Sequence, residues 1–576
     1  MKNVFGKVIR VGKRMKIYEL AAILAVGHSV FSLWTSDKFF LPVGDDELLK
    51  RNKLLVEAVF LVVMWAIYMG IIALIKNRKK YKRYIRFGLI YFASLMFILF
   101  LIWPGVWRGA NDECTIALLA QGYEFWGWHH VLTSLLYMLS FKLIPSFVGI
   151  IIVQCALISV VTAYIYTKLT EILKIKKVFA KILLIIPFVL PPVLDSAFYP
   201  LRAILWSYAL ALLLLLMVEG VMTKKVSVVK QAIMVGLLVV VSTWRGEGVY
   251  YLLVAIVYFG YIGAKKYIGW RRVMSCLSFL FIGAFMVFAL QNSNLTFHDR
   301  TAYIVTGMNV PKPLIQKFVD EDDGETMAVL NKIIDPTIVD GYVIDKGFIK
   351  GEPYSESDFD SYVEKYISFW LNYPEIMFAD RLSIFLRTIY AGNFIDFPVE
   401  TMIFFEEADT DRYRKIRQRY QEFLGEYPIE YDESFVDEYI LEKQRVYDHA
   451  REFRESGGWM ILPWNQQLRG TILSILEGRS IGDYDKKTII SIALWNLMVP
   501  IFCLILGFVF LCMKKKIIYA LIIGTVFVKI IIVFFGAPLT VHMYYFSECF
   551  IGYIMLFAAI AYFLQRKKLD SKIRHR

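Results

Sequence analysis

The sequence predicts an all-α polytopic membrane protein with about 12 transmembrane helices and one large, mostly helical extracytoplasmic domain. Three observations predict it. Apolar stretches close to the ~20 residues that cross a bilayer recur from end to end of the 576-residue chain. A hydrophobic content of 57%, with 16% aromatic residues, is too high for a soluble globular protein. Lysine and arginine gather in alternate connections between the apolar stretches, as the positive-inside rule requires.

The spans fall at 17–34, 54–75, 84–103, 147–168, 178–198, 200–221, 228–244, 246–264, 273–291, 488–513, 516–536 and 544–566. The first follows a basic start and has the outline of a signal peptide. It lacks a small-residue cleavage site and opens a long series, so it reads as a retained anchor. Pro187, Pro191 and Pro192 loosen the fifth span, and Phe198-Tyr199-Pro200 makes a tight hairpin into the sixth. With both termini in the cytoplasm, the cytoplasmic connections hold roughly thirty Lys and Arg against the two acids Glu171 and Asp570. The net charge of +14 is thereby a matter of topology, and nucleic acid is not an expected partner. The six cysteines form neither CxxC pairs nor an even set in a polar domain, so no disulfide framework or zinc site is expected.

Two long connections then fall on the extracytoplasmic side. One is 104–146. The other, 292–487, is rich in acids (Glu321-Asp322-Asp323, Glu406-Glu407, Asp432-Glu433) and has amphipathic stretches such as 361–391. Apolar residues at helical spacing through Phe369, Trp370, Ile376, Met377, Leu382 and Phe385 predict a folded helical domain. One large insertion late in the chain makes the halves unlike each other and weakens an inverted-repeat transporter reading.

Ionisable groups at the bilayer boundary are costly and mark function. Arg108, Asp112, Glu113, His129 and His130 lie in the first extracytoplasmic loop, Asp195, Arg202, Arg245 and Glu247 at the matching ends of spans, and His542 and Glu548 at the mouth of the last. Lys529 sits within its span, nearer the same side. Each has a plainer alternative. Arg202 and Arg245 would snorkel to phospholipid headgroups, Lys529 would pair with Glu548, and the two histidines would cap Trp126 and Trp128 at the interface. Glu57, inside the second span, receives no role.

The loop 104–146 opens Pro104-Gly105-Val106-Trp107-Arg108-Gly109-Ala110-Asn111-Asp112-Glu113. It continues through a helical stretch to Gln121 and a Trp-rich turn, then His129-His130-Val131 leads to the next span. This arrangement resembles the first outer loop of the membrane-embedded GT-C glycosyltransferases, which include protein O-mannosyltransferases and the bacterial enzymes that move aminoarabinose onto lipid A. Asp112-Glu113 matches the family's acidic pair. His129-His130 stands where His-Pro is usual, so the second histidine departs from the pattern. With Tyr373-Pro374-Glu375, the chain is also similar to a bacterial group of GT-C-like proteins. The resemblance covers 84–300 well and the last three spans loosely. It divides the chain into a two-span addition (1–80), a GT-C-like core (81–291), the extracytoplasmic domain (292–487) and a three-span segment with a basic tail (488–576).

The resemblance implies an inverting transfer of sugar from a polyprenyl-phosphate donor to an extracytoplasmic glycan, lipid or protein, in a bacterial plasma membrane. The residue types fit that chemistry. A carboxylate must take the acceptor hydroxyl's proton, which points to Asp112, with Glu113 orienting it or binding a divalent cation such as Mg or Mn. Cations must stabilise the departing phosphate, which points to Arg202, Arg245 and Lys529. His129 or His130 would hydrogen-bond donor or acceptor. Two other classes stay open: a polymerase or ligase using undecaprenyl-diphosphate-linked glycans, and a non-enzymatic transporter or flippase with polar groups lining the midplane.

Overall fold

The computed structural model describes residues 16–107, 113–125, 129–308, 310–339, 347–349, 354–390, 466–480, 483–537 and 542–574. Arg108, Asp112, Trp126, Trp128 and the acidic pairs 406–407 and 432–433 lie outside them. Among the described residues, ten helices are long and apolar enough to cross a membrane. The count rises to eleven if the proline-loosened pair Val178–Phe188 and Pro191–Ala197, bent by 54°, is taken as one broken span. The remaining expected span forms as Val228–Thr243, whose 16 residues make a rod of only ~24 Å. The chain is therefore a membrane-embedded, predominantly helical protein.

The first two spans, α1 (Ile17–Thr35) and α2 (Glu47–Lys76), pack against each other. Asp46 starts α2 by accepting from the amides of Leu48 and Leu49 at 2.7 and 3.1 Å, which satisfies two of the helix's free donors. Next come α3 (Lys82–Leu101), the short α4 (Thr115–Gln121) and α5 (Val131–Leu143), then α6 (Phe147–Ile172). The fully buried Lys142 of α5 pairs with both Asp37 and Glu57, which ties α1 and α2 to the rest. Glu57, given no role from sequence, is thus one arm of a buried ion cluster.

The broken span consists of α7 (Val178–Leu183), a 3-10 turn and α8 (Pro191–Ala197). Its exposed carbonyls need partners, because prolines interrupt the helical ladder. Tyr91 donates to Phe188 O at 2.8 Å. The Gln154 amide donates to Ala197 O and Tyr199 O at 3.1 and 2.8 Å. The most enclosed span, α9 (Arg202–Thr223), follows; it packs on α6, α10 (Val228–Thr243), α21 (Ile517–Gly536) and α22 (Phe546–Arg574). Against α10 run α11 (Tyr251–Ala264) and α12 (Trp270–Ser293), which also pack on each other.

At one end of the bundle the turns are lysine-rich. Lys174, Lys224, Lys266 and Lys515 adopt positive φ of 52–58° there, each just beyond a helix C-terminus, where a cation complements the helix dipole. The opposite, domain end carries the 104–146 connection and the 292–487 segment. Helices α13 (Phe297–Gly307), α14 (Lys312–Asp320), α15 (Gly324–Leu330), α16 (Glu356–Asn372) and α17 (Pro374–Tyr390) gather around Leu314, Phe318, Leu330, Tyr362 and Phe369. A capping box of Ser355 and Asp358 starts α16, and Tyr373-Pro374 breaks it from α17. Two short antiparallel ribbons complete the described segment, β1 (Ile334–Val339) with β2 (Gly347–Ile349) and β3 (Arg479–Ser480) with β4 (Asp483–Lys487). Helices α18 (Gln466–Glu477), α19 (Ile489–Leu494) and α20 (Met498–Met513) return the chain to the bundle.

Candidate functional site

The site is built on two tight turns at the domain end. In the first, residues 198–201 link α8 to α9 and hand the chain to Arg202, the first residue of α9. In the second, Arg245-Gly246-Glu247-Gly248 links α10 to α11. Its closing bond runs from Gly248 N to Arg245 O at 2.8 Å. Gly248 has no room for a side chain: a Cβ there would lie 2.0 Å from Val241 O. The turn can therefore fold back onto the end of α10 and bring Arg245 beside α9.

Trp206 stands one helical turn after Arg202, on the same side of α9. Its indole N–H donates to Val241 O at 3.0 Å, and its ring lies 5.9 Å from the Arg245 guanidinium and 5.4 Å from Lys529 Nζ. Arg245 is bonded through Nε to Glu247. Lys529 Nζ meets Glu548 at 3.1 Å and donates to Tyr544 O at 2.6 Å, so the pairing with Glu548 entertained from sequence is present. Glu247 feels the charges of Arg245, Lys529 and Arg202 together. Arg245 and Lys529 thus converge on the Trp206 ring together with the carboxylates Glu247 and Glu548, and the Arg202 charge reaches Glu247 as well.

The histidines stand nearby. His130 caps α5: its Nδ1 accepts from Leu132 N at 3.3 Å, which does what a proline at this position would do by conformation alone. Burial, followed by the Arg202 charge, pushes the His130 pKa down to about 3, so the ring is neutral at physiological pH. His129 is almost fully buried. The α5 helix is fixed further by Trp244, whose N–H donates to Thr133 Oγ1 at 2.9 Å.

Of the acidic pair, Asp112 lies outside the described residues. Glu113 is fully buried and accepts from the Tyr199 hydroxyl at 3.2 Å. The segment leading to it is held at several points. Gly105 has φ +103°, and a Cβ there would meet Ile151 Cδ1 at 2.3 Å. Val106 N donates to Phe198 O at 3.0 Å. Arg469 of α18 donates to Ile102 O and Gly105 O at 3.2 and 3.0 Å. For a divalent cation the described residues offer no ligand set: no three His, Cys, Asp or Glu side chains converge.

Sequence reasoning missed Trp206, Tyr199, Gln154 and Arg469 as members of this site, and noted Glu247 without placing it there. The i to i+4 spacing of Arg202 and Trp206 was an available signal. Arg469 had none, since an arginine in a long polar segment reads as a solvated charge. The chain matches no known protein family, no curated protein and no solved structure in the comparisons made.

Proposed function

We propose that this protein transfers a sugar from a polyprenyl-phosphate carrier to an acceptor at the domain end of the bundle, on the extracytoplasmic face of a bacterial plasma membrane. The observation that carries the reading is the convergence of Arg245 and Lys529 on the Trp206 ring, with the charge of Arg202 near enough to act on Glu247 beside them. Buried cations at one end of an apolar bundle suit a lipid phosphate held at headgroup level. Lysine-rich turns at the opposite end support a cytoplasmic location for that end.

In this reading the acceptor hydroxyl attacks the anomeric carbon and the bond from that carbon to the phosphate oxygen breaks. The bonding electrons leave with the phosphate, and the cation cluster stabilises the charge that develops there. The hydroxyl proton passes to Asp112 as general base. Glu113, held by Tyr199, anchors the acidic loop beside the hairpin that presents Arg202. Single displacement inverts the anomeric centre.

The test is transfer from a labelled polyprenyl-phosphate sugar by the full chain in nanodiscs. Wild-type protein is expected to turn over, and Asp112→Asn to lose at least about 10²-fold while inserting normally, as removal of a general base does. Full activity in Asp112→Asn would remove Asp112 from the mechanism. It would favour a polymerase or ligase that shares the cations without needing the acidic loop.

A further inference from the structure

Two arginines of the segment between α12 and α20 reach back into the bundle, and both are almost completely buried. Arg469, on α18, donates to Ile102 O and Gly105 O, and so bridges the end of α3 and the start of the acidic loop. Arg381, on α17, donates through Nη1 to Phe535 O and Ala537 O at 3.2 and 3.1 Å, carbonyls at and just beyond the end of α21. These are sites where orphan carbonyls need donors. A guanidinium fork supplies two divergent N–H groups to two carbonyls at once, which an ammonium cannot do in fixed geometry.

The contacts continue inward from Arg469 without a gap. Gly105 precedes Val106, whose amide binds Phe198 O. Phe198 precedes Tyr199, whose hydroxyl binds Glu113, and Tyr199 O is held by Gln154. Three residues further along the same hairpin is Arg202. Tyr137 secures the intervening Pro200 by donating to its carbonyl. From Arg381, α21 runs back two turns to Lys529, inside the cation cluster. Both routes start in the domain segment and end on groups of the candidate site.

We infer that Arg469 is a positioning residue: through Gly105, Val106 and the 198–201 hairpin, it sets the placement of Glu113 and Arg202, and Arg381 does the same for Lys529. The domain segment is thereby part of the site's scaffold. The inference rests on the proposed function for what the site does, but its geometry is testable without that function.

The first experiment is hydrogen exchange on full-length protein in nanodiscs, comparing wild type with Arg469→Gln and Arg469→Lys. Loss of two charge-assisted bonds is expected to speed exchange of the Val106 amide about tenfold or more, with smaller increases across 113–121 and 197–202. Lysine keeps the charge without the fork and is expected to restore only part of the protection. Gly105→Ala breaks the same latch from its other side and is expected to give the same pattern. Unchanged exchange in these segments for all three variants would overturn the inference.

The second readout is kinetic. Arg469→Gln is expected to lower kcat and raise donor KM together, because Glu113 and Arg202 both lose their placement; a loss of activity matched by an equal loss of folded protein would mark a merely structural residue. If wild-type protein transfers no sugar, the functional reading fails and hydrogen exchange alone decides the positioning role.

Discussion

The Lys529–Glu548 pair offers a sharp separation between an ion pair that only holds helices together and a cation that serves a ligand. Both side chains are buried, and Nζ lies 3.1 Å from the carboxylate. At an effective dielectric near 20, charges at that distance attract by about 5 kcal/mol, and much of this offsets the cost of taking both from water. Lys529→Met alone leaves Glu548 buried without its cation and removes the donor to Tyr544 O. The expected loss is about 3–5 kcal/mol. Lys529→Met with Glu548→Met removes both charges and is expected to recover most of this, with about 1–2 kcal/mol still missing for the Tyr544 carbonyl. Thermal midpoints at one scan rate in nanodiscs compare the variants, since a protein of this size unfolds irreversibly. Binding of synthetic polyprenyl phosphate is measured on the same samples. The proposal expects the double variant to be stable but weakened in lipid-phosphate binding. A double variant with wild-type stability and wild-type affinity would refute the assignment of Lys529 to the phosphate site and leave the pair purely structural.

Two further expectations follow from named contacts. His130 is held neutral in the folded state, with a pKa near 3 against an ordinary 6.5. A depressed folded pKa gives stability that is complete above pH 6.5 and declines as pH falls toward 3. Thermal midpoints between pH 7.5 and 5 are expected to fall less in His130→Asn, which keeps an N-cap and does not titrate; parallel curves would reject this role for His130. Lys142→Met leaves Glu57 without its cation and Asp37 with only Lys53 at 3.6 Å, a loss of about 3 kcal/mol at the junction of α1 and α2 with the rest. Proteolysis in the 36–46 connection is expected to quicken by about tenfold or more, and an unchanged rate would show that other contacts hold these spans.

Much of this architecture is written in local pattern. Span lengths, lysine-rich turns and the proline cluster at 187–192 each act through neighbours in the chain, and the broken span appears where the prolines place it. The shortest expected span, 228–244, folds as the 16-residue helix Val228–Thr243 with Trp244 as its C-cap. Within the site, the cations were legible because charge at membrane depth is rare and stands out. Their partners were less so. Glu247 lies two residues from Arg245 and reads as one of many boundary acids until the turn brings α9 and α21 against it. Arg469 meets carbonyls more than 360 positions earlier in the chain. Backbone carbonyls carry no sequence signature, so nothing local announces such a bond.

The most direct test of the central claim is native mass spectrometry of the gently purified full chain, reading which lipid it retains. The account expects an isoprenoid-phosphate species that persists in wild-type protein and is lost in Arg202→Ala or Arg245→Ala. Retention of bulk phospholipid alone, even after synthetic polyprenyl phosphate is added, would contradict it and return the two arginines to headgroup anchors.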